Sequence, residues 1–294
     1  MSVRNMTFSS FRSPAFQYFP AFCPRAQFGA NTACWHLHQN EVHFYQQREP
    51  ENLLLAALPR DERERLDPFL HRVNLEIGAP ITNPGEPIRE LYFPYDAVTS
   101  TVQEMSDGST IETGLMGMEG LAGVQVWLRQ RSTASTTFVQ IPGMAHRKST
   151  EDFIREVRDR PSPLNDLIAS YVHAFLVLTS MTAACNRLHS IDQRLCRWLR
   201  MTYNRARRRE FPVRHEFLAE MLGVHRPTVS TAASMLQRAG LISYKYGKLT
   251  VLDPEGLAES ACECYPVMEA QFDKIFDQPW REAVADQART VRQQ

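Results

Sequence analysis

The 294-residue chain sets 33 Lys and Arg against 33 Asp and Glu, so no whole-molecule charge draws it to nucleic acid or to an acidic membrane. Its hydrophobic share of 43% is enough for a sizeable core, and its length calls for two domains and a connector. Six scattered cysteines without a C-x-x-C pair make no disulfide scaffold in a chain this long, which points to a reducing, cytoplasmic compartment.

No apolar stretch with a small-residue cleavage site follows the start, so secretion is not expected. Residues 1–48 show neither helical nor strand periodicity and hold no acid before Glu41, which predicts a disordered extension. Cys23, Cys34, His36, His38 and His43 fit no tight zinc spacing, so no metal is expected there. Residues 49–160 open with a pair of short helices, the second starting after Pro59. The period then changes to two. Val73–Gly78, Leu91–Phe93, Ala97–Met105, Thr110–Leu115, Thr136–Ile141 and Ala145–Lys148 alternate as strands should, broken by turns at Pro84-Gly85-Glu86-Pro87 and Asp107-Gly108. Many short strands with regular turns predict a jelly roll, a double-stranded β-helix within an α+β chain.

Residues 161–188 read as one long helix after Pro163. Leu164, Ile168, Tyr171, Phe175, Leu178, Thr182 and Cys185 recur in steps of four and three, the spacing of a two-stranded coiled-coil seam, so a homodimer is expected along this line. Leu167–Asn186 carries no charge and is long enough to span a bilayer. Ser170, His173, Thr179, Ser180, Thr182 and Asn186 make it a poor span, and a buried helix fits better.

Residues 189–252 carry the most informative pattern. A helix from Ser190 to Asn204 leads through a basic connector into two short helices joined at Gly223. Leu218, Leu222, Val224, Val229 and Ala232 are apolar where crossed helices must touch, and Ala219 is small where they approach most closely. Arg226, Thr228, Ser230 and Thr231 are left facing out. That is the geometry of a helix-turn-helix whose second helix enters the major groove. Leu241–Leu252 then reads as two strands around Lys245-Tyr246-Gly247-Lys248, a wing with Lys245 and Lys248 placed to meet phosphate. Between Arg187 and Lys248 basic residues exceed acids by nine, and this local excess coincides with the motif. Residues 253–294 form a helical tail starting at Asp253-Pro254, with Pro266 splitting its apolar stripe. Cys262 and Cys264, two apart on such a helix, face different ways and read as packing residues.

A β-roll, a long dimerisation helix and a winged helix-turn-helix together resemble the Crp/Fnr superfamily of bacterial transcription regulators. The likeness covers about residues 50–252. It is carried by Leu218-Ala219-x-x-Leu222-Gly223-Val224-x-Arg226-Pro227-Thr228-Val229-Ser230 and by the roll markers Pro84-Gly85-Glu86, Asp107-Gly108 and Glu119-Gly120-Leu121-x-Gly123. The resemblance implies base reading by Arg226, Pro227 and Thr231. It places Arg214 and His225, where the family usually has hydroxyls, against backbone phosphate. It implies further that Glu119 stands where cyclic-nucleotide-binding members use a carboxylate on ribose. Ser135 falls where they use Arg on the cyclic phosphate, with Arg131 one register away. A buried phosphate without a cation is costly, so no tight cyclic-nucleotide binding is expected. Cys23 and Cys34 do not supply the four-cysteine iron–sulfur set of the oxygen-sensing members, and no cofactor is expected.

The partners expected are double-stranded DNA, a second copy of the chain, RNA polymerase, and a small effector of unidentified chemistry, without a membrane. No nucleotide-binding Gly-rich loop, H-E-x-x-H or nucleophile elbow marks an enzyme, and no catalytic residue is assigned. The alternative is a membrane-tethered or redox- or metal-responsive sensor.

Overall fold

The computed structural model describes residues 51–276. The extension with Cys23, Cys34, His36, His38 and His43, and the end of the tail, lie outside the described residues.

Two short helices, α1 (Leu53–Ala56) and α2 (Arg60–Leu66), precede the sheets. The strands are β1 (His71–Leu75), β2 (Pro80–Thr82), β3 (Glu90–Pro94), β4 (Val98–Glu104), β5 (Thr110–Met116), β6 (Thr136–Ile141) and β7 (Gly143–Ser149). They form one sheet in the order β1-β7-β3 and another in the order β2-β6-β4-β5, all neighbours antiparallel. Leu91, Phe93, Val98, Val102, Leu115 and Ile141 alternate inward to make the core of the roll. The expected strands are all present. Only β2 was not legible, being three residues beside a bulge with Pro at its start. The Asp107-Gly108 hairpin joins β4 to β5, with Gly108 at φ +80°.

After a single turn at α3 (Thr150–Phe153), Ser162 caps α4 (Pro163–Leu188), whose Pro163 occupies the first helical position. Leu164, Ile168, Tyr171, Leu178, Thr182 and Cys185 are buried within the chain's own core, and the Phe175 ring covers Gly114 of β5. These residues therefore do not form a seam toward a second copy. The repeat of four and three marks the face on which α4 lies against its own roll, because a short stretch of this spacing fits a flat core as well as a partner helix. The outer face of α4 is open instead, and Leu176 is 60% exposed there. Among the described helices α4 alone is long and apolar enough to cross a membrane, with mean hydropathy 1.6 in its most apolar window.

Three glycines spaced by three admit the helices to the roll. A Cβ at Gly120 would lie 2.7 Å from the Tyr171 ring, and one at Gly117 2.7 Å from Cβ of Arg205, while Gly114 is filled by Phe175. Arg205 belongs to α5 (Ile191–Ala206), which starts in a capping box at Ser190 and Gln193.

The C-terminal part continues with β8 (Glu210–Pro212), α6 (His215–Leu222), α7 (Arg226–Arg238), β9 (Ile242–Lys245) and β10 (Lys248–Val251). It closes with α8 (Pro254–Ser260) and α9 (Cys264–Asp273). The wing strands pair in the order β8-β10-β9. Asp253 caps α8 through Gly256 N–H, as the Asp-Pro signature predicts. The tail does divide, but ahead of Pro266: α8 ends at Ser260, and Pro266 sits in the first turn of α9, where its missing N–H costs nothing.

Candidate nucleic-acid interface

α6 and α7 cross at Gly223, which takes φ +61° and ends α6 by donating to the Ala219 and Glu220 carbonyls. Leu218, Ala219, Leu222, Val229 and Ala232 are buried between and beneath the helices, with Val224 half-buried. This packing turns the opposite side of α7 outward. His225, Arg226, Pro227, Thr228 and Thr231 are exposed, and Ser230 is half-buried. Arg226 is 63% exposed and its Nε lies 2.6 Å from Glu216 Oε1, a surface pair of little energetic weight. The Thr231 hydroxyl donates to the Pro227 carbonyl at 3.0 Å. Ser230 is held by His215 Nδ1 at 2.9 Å, and that ring stacks on Tyr244 with centroids 4.4 Å apart. Burial and the Arg226 charge push the His215 pKa down, so this imidazole is neutral at physiological pH.

Neither helix has a side-chain cap. Arg214 and His225 stand at the two N-cap positions without a side-chain bond to the first turn, and in α7 Pro227 has no N–H while the Thr228 N–H donates to the His225 carbonyl at 3.0 Å. The wing turn carries Tyr246 at φ +53° and Gly247 at φ +75°, and Lys245 and Lys248 are exposed on either side. Lys248 Nζ meets Glu210 at 3.0 Å.

The basic excess of this region is smaller at the surface than in the sequence. Arg194, Arg197, Arg200 and Arg205 are all buried on α5. Arg194 donates to the Leu222 carbonyl, and Arg200 reaches Glu255 at 3.0 Å. Arg205 Nε meets Glu119 Oε1 at 2.7 Å, and its Nη1 meets Glu269 Oε1 at 3.3 Å, with all three side chains 0% exposed. Two of these acids lie beyond Lys248 and one in the roll, so a count over a local window misses them.

The same triad engages Glu119, whose buried carboxylate meets Arg205 of α5. Arg131 is exposed on the approach to β6, and the Ser135 hydroxyl donates to Gln103 at 3.1 Å. Glu119 and Ser135 bond Arg205 and Gln103, respectively. Another link between roll and helices escaped the sequence entirely. Glu112 of β5, fully buried, accepts from Trp198 Nε1 at 3.0 Å and from Ser100. Partners separated by 86 residues leave no local signal.

Cys262 and Cys264 are buried in the core as packing residues, but the expectation that they face different ways needs correction. It assumes one continuous helix, whereas Cys262 lies in the turn before α9 and Cys264 opens it. Both sulfurs turn toward Cys185 and His189 at the end of α4.

Residues 193–260 match the family model described as the Crp-like helix-turn-helix domain. A transcriptional regulator of the crp/fnr family from Eubacterium rectale has the same fold at 18% identity and TM-score 0.54, over 71% of this chain and 99% of that one. Residues 193–260 are thus a Crp-like helix-turn-helix domain. Other solved structures share the fold. FixK2 from Bradyrhizobium japonicum matches at 13% identity and TM-score 0.55, over 66% of this chain and 98% of its own. The regulator CLP from Xanthomonas campestris, described as c-di-GMP-responsive, matches at 17% and 0.51, over 66% and 99%. At these identities the likeness establishes the fold, while the domain match identifies residues 193–260 as a Crp-like helix-turn-helix domain. No curated protein matches the chain.

Proposed function

We propose that two copies of this chain bind a palindromic DNA site in the cytoplasm, each setting α7 into the major groove. The observation that carries this reading is the exposed outer face of α7, with Arg226 at its start and hydroxyls along it. Arg226 reaches guanine O6 and N7, and Pro227 offers only apolar contact, for example to a thymine methyl. The uncapped first turn of α6, with Arg214 beside it, favours phosphate, as do exposed His225 at the start of α7 and Lys245 and Lys248 on the wing. Arg226→Ala is expected to weaken specific binding by roughly 1–3 kcal/mol and to relax one base position. Selection of bound fragments from random DNA, followed by footprinting of the variant, tests it. An unchanged footprint removes Arg226 from the readout.

The outer face of α4 supports pairing. Ala169, His173, Leu176, Ser180 and Ala183 are exposed and recur in steps of four and three. Ala169, Ser180 and Ala183 are small beside His173 and Leu176, which lets two helices approach closely and sets the recognition helices about one DNA turn, roughly 34 Å, apart. Leu176→Asp is expected to give monomers in light scattering. Persistent dimers would put the contact elsewhere. The effector is not a cyclic nucleotide held by Glu119, since Arg205 occupies that carboxylate.

A further inference from the structure

The end of α4 and the turn between α8 and α9 come together away from the DNA-reading face. Cys185 and His189 stand four apart in the last turn of α4, so they share one side of it. Cys262 and Cys264 bracket the start of α9. One donor atom from each of the four lies within 4.8 Å of every other. Cys185 Sγ is 3.4 Å from Cys262 Sγ, and Cys264 Sγ is 3.5 Å from His189 Nδ1.

We infer that Cys185, His189, Cys262 and Cys264 form a tetrahedral site for a single thiolate-preferring divalent ion, with zinc as the best match. With Zn–S about 2.3 Å and Zn–N about 2.0 Å, tetrahedral corners fall about 3.8 Å apart for two sulfurs and about 3.5 Å for sulfur and nitrogen. These two pairs fall within about 0.4 Å of those values, and the widest pair needs to close by about 1 Å. Donors this close suit one ion and leave no room for an iron–sulfur cluster. Three sulfurs and one imidazole select zinc over magnesium or calcium, and four protein ligands make a closed, structural site.

The surroundings agree. His189 turns Nδ1 to the sulfurs, and its Nε2 meets Glu263 Oε1 at 3.0 Å, the carboxylate that orients a ligating imidazole. Buried Arg197 of α5 offsets the net negative charge of three thiolates on one divalent cation. The three cysteines are buried, while His189 is 15% exposed and leaves an entry path. A simple disulfide between Cys185 and Cys262 would leave His189, Glu263 and Cys264 without a reason to converge.

The ion would tie the last turn of α4 to the turn leading into α9. It would thereby brace the bend at His189-Ser190, where the long helix hands over to α5. This goes beyond DNA reading and needs nothing from it.

The test uses the full-length chain, reduced and stripped by a chelator, titrated with Co2+ as a spectroscopic probe. One Co2+ per chain is expected, with strong visible bands of a tetrahedral thiolate site and near-ultraviolet sulfur-to-metal charge transfer, displaced by Zn2+. Cys262→Ser and Cys264→Ser should abolish the charge-transfer intensity of their sulfur. Glu263→Gln is exposed and leaves the fold alone, and it should weaken affinity on the order of tenfold. Cys196→Ser and the double variant Cys23→Ser/Cys34→Ser should bind as the parent does. A weak octahedral spectrum, or a signal lost only in the Cys23/Cys34 variant, overturns the site. So does a Cys185–Cys262 disulfide in protein that takes up no cobalt after reduction.

Discussion

Arg205→Met is expected to lower the unfolding free energy by about 3–5 kcal/mol, read from the urea midpoint of the purified chain. Arg205 is fully buried and bonds Glu119 in the roll and Glu269 in α9. Removing the guanidinium takes the Arg205 charge away from two buried carboxylates that carry a desolvation cost. Methionine fills much of the same space, so a cavity contributes little to the loss. Adding Glu119→Gln and Glu269→Gln to Arg205→Met should recover a good part of it, because neutral amides replace the stranded charges. A single variant within about 1 kcal/mol of the parent would show that the triad contributes little. The arrangement joins three separate segments of the fold, so its loss should also loosen the seating of α5 on the roll.

The second large effect is a pH dependence centred on Glu112. Burial pushes its carboxyl up to about 7, opposed by the Ser100 hydrogen bond, the Arg197 charge and the Trp198 hydrogen bond. In the unfolded chain it titrates near 4.5. Below that pH the group is protonated in both states and adds no slope. As pH rises toward about 7 the unfolded chain loses the proton while the folded chain keeps it, so stability falls, by on the order of 3 kcal/mol in all. Above about 7 both states are ionised and the slope ends. Glu112→Gln keeps an acceptor for Trp198 and removes the titration. Its urea midpoint should match the parent near pH 4.5 and exceed it at pH 8. Parallel curves across that range would assign the pH response to another group.

The winged helix-turn-helix was legible because its signals are local. Gly223 at a left-handed turn, Ala219 at the crossing and Asp253-Pro254 at a helix start each act within one or two turns of chain. The strands were legible for the same reason, through alternation and Asp107-Gly108. What sequence could not reveal is which of two faces of one helix meets the chain's own roll. Both faces of α4 repeat in steps of four and three, and the face with larger side chains went inward because burial of Tyr171, Leu178 and Ile168 is worth more there. The arginines of α5 misled for a related reason. Their spacing coincides with Leu195, Trp198 and Leu199, so they sit on buried sides where distant carboxylates reach them. The four metal donors were hidden by assuming that the tail ran on as one helix through Cys262.

The glycines at 114, 117 and 120 leave a clearance narrower than a methyl group between strand and helices. A joint cut that fine has no room for partial travel. At these three points α4 and α5 press directly on the glycine backbone, and any tilt of both helices large enough to matter must lift Tyr171 and Arg205 clear of their notches together. Such a hinge behaves as a latch with two positions rather than as a dial.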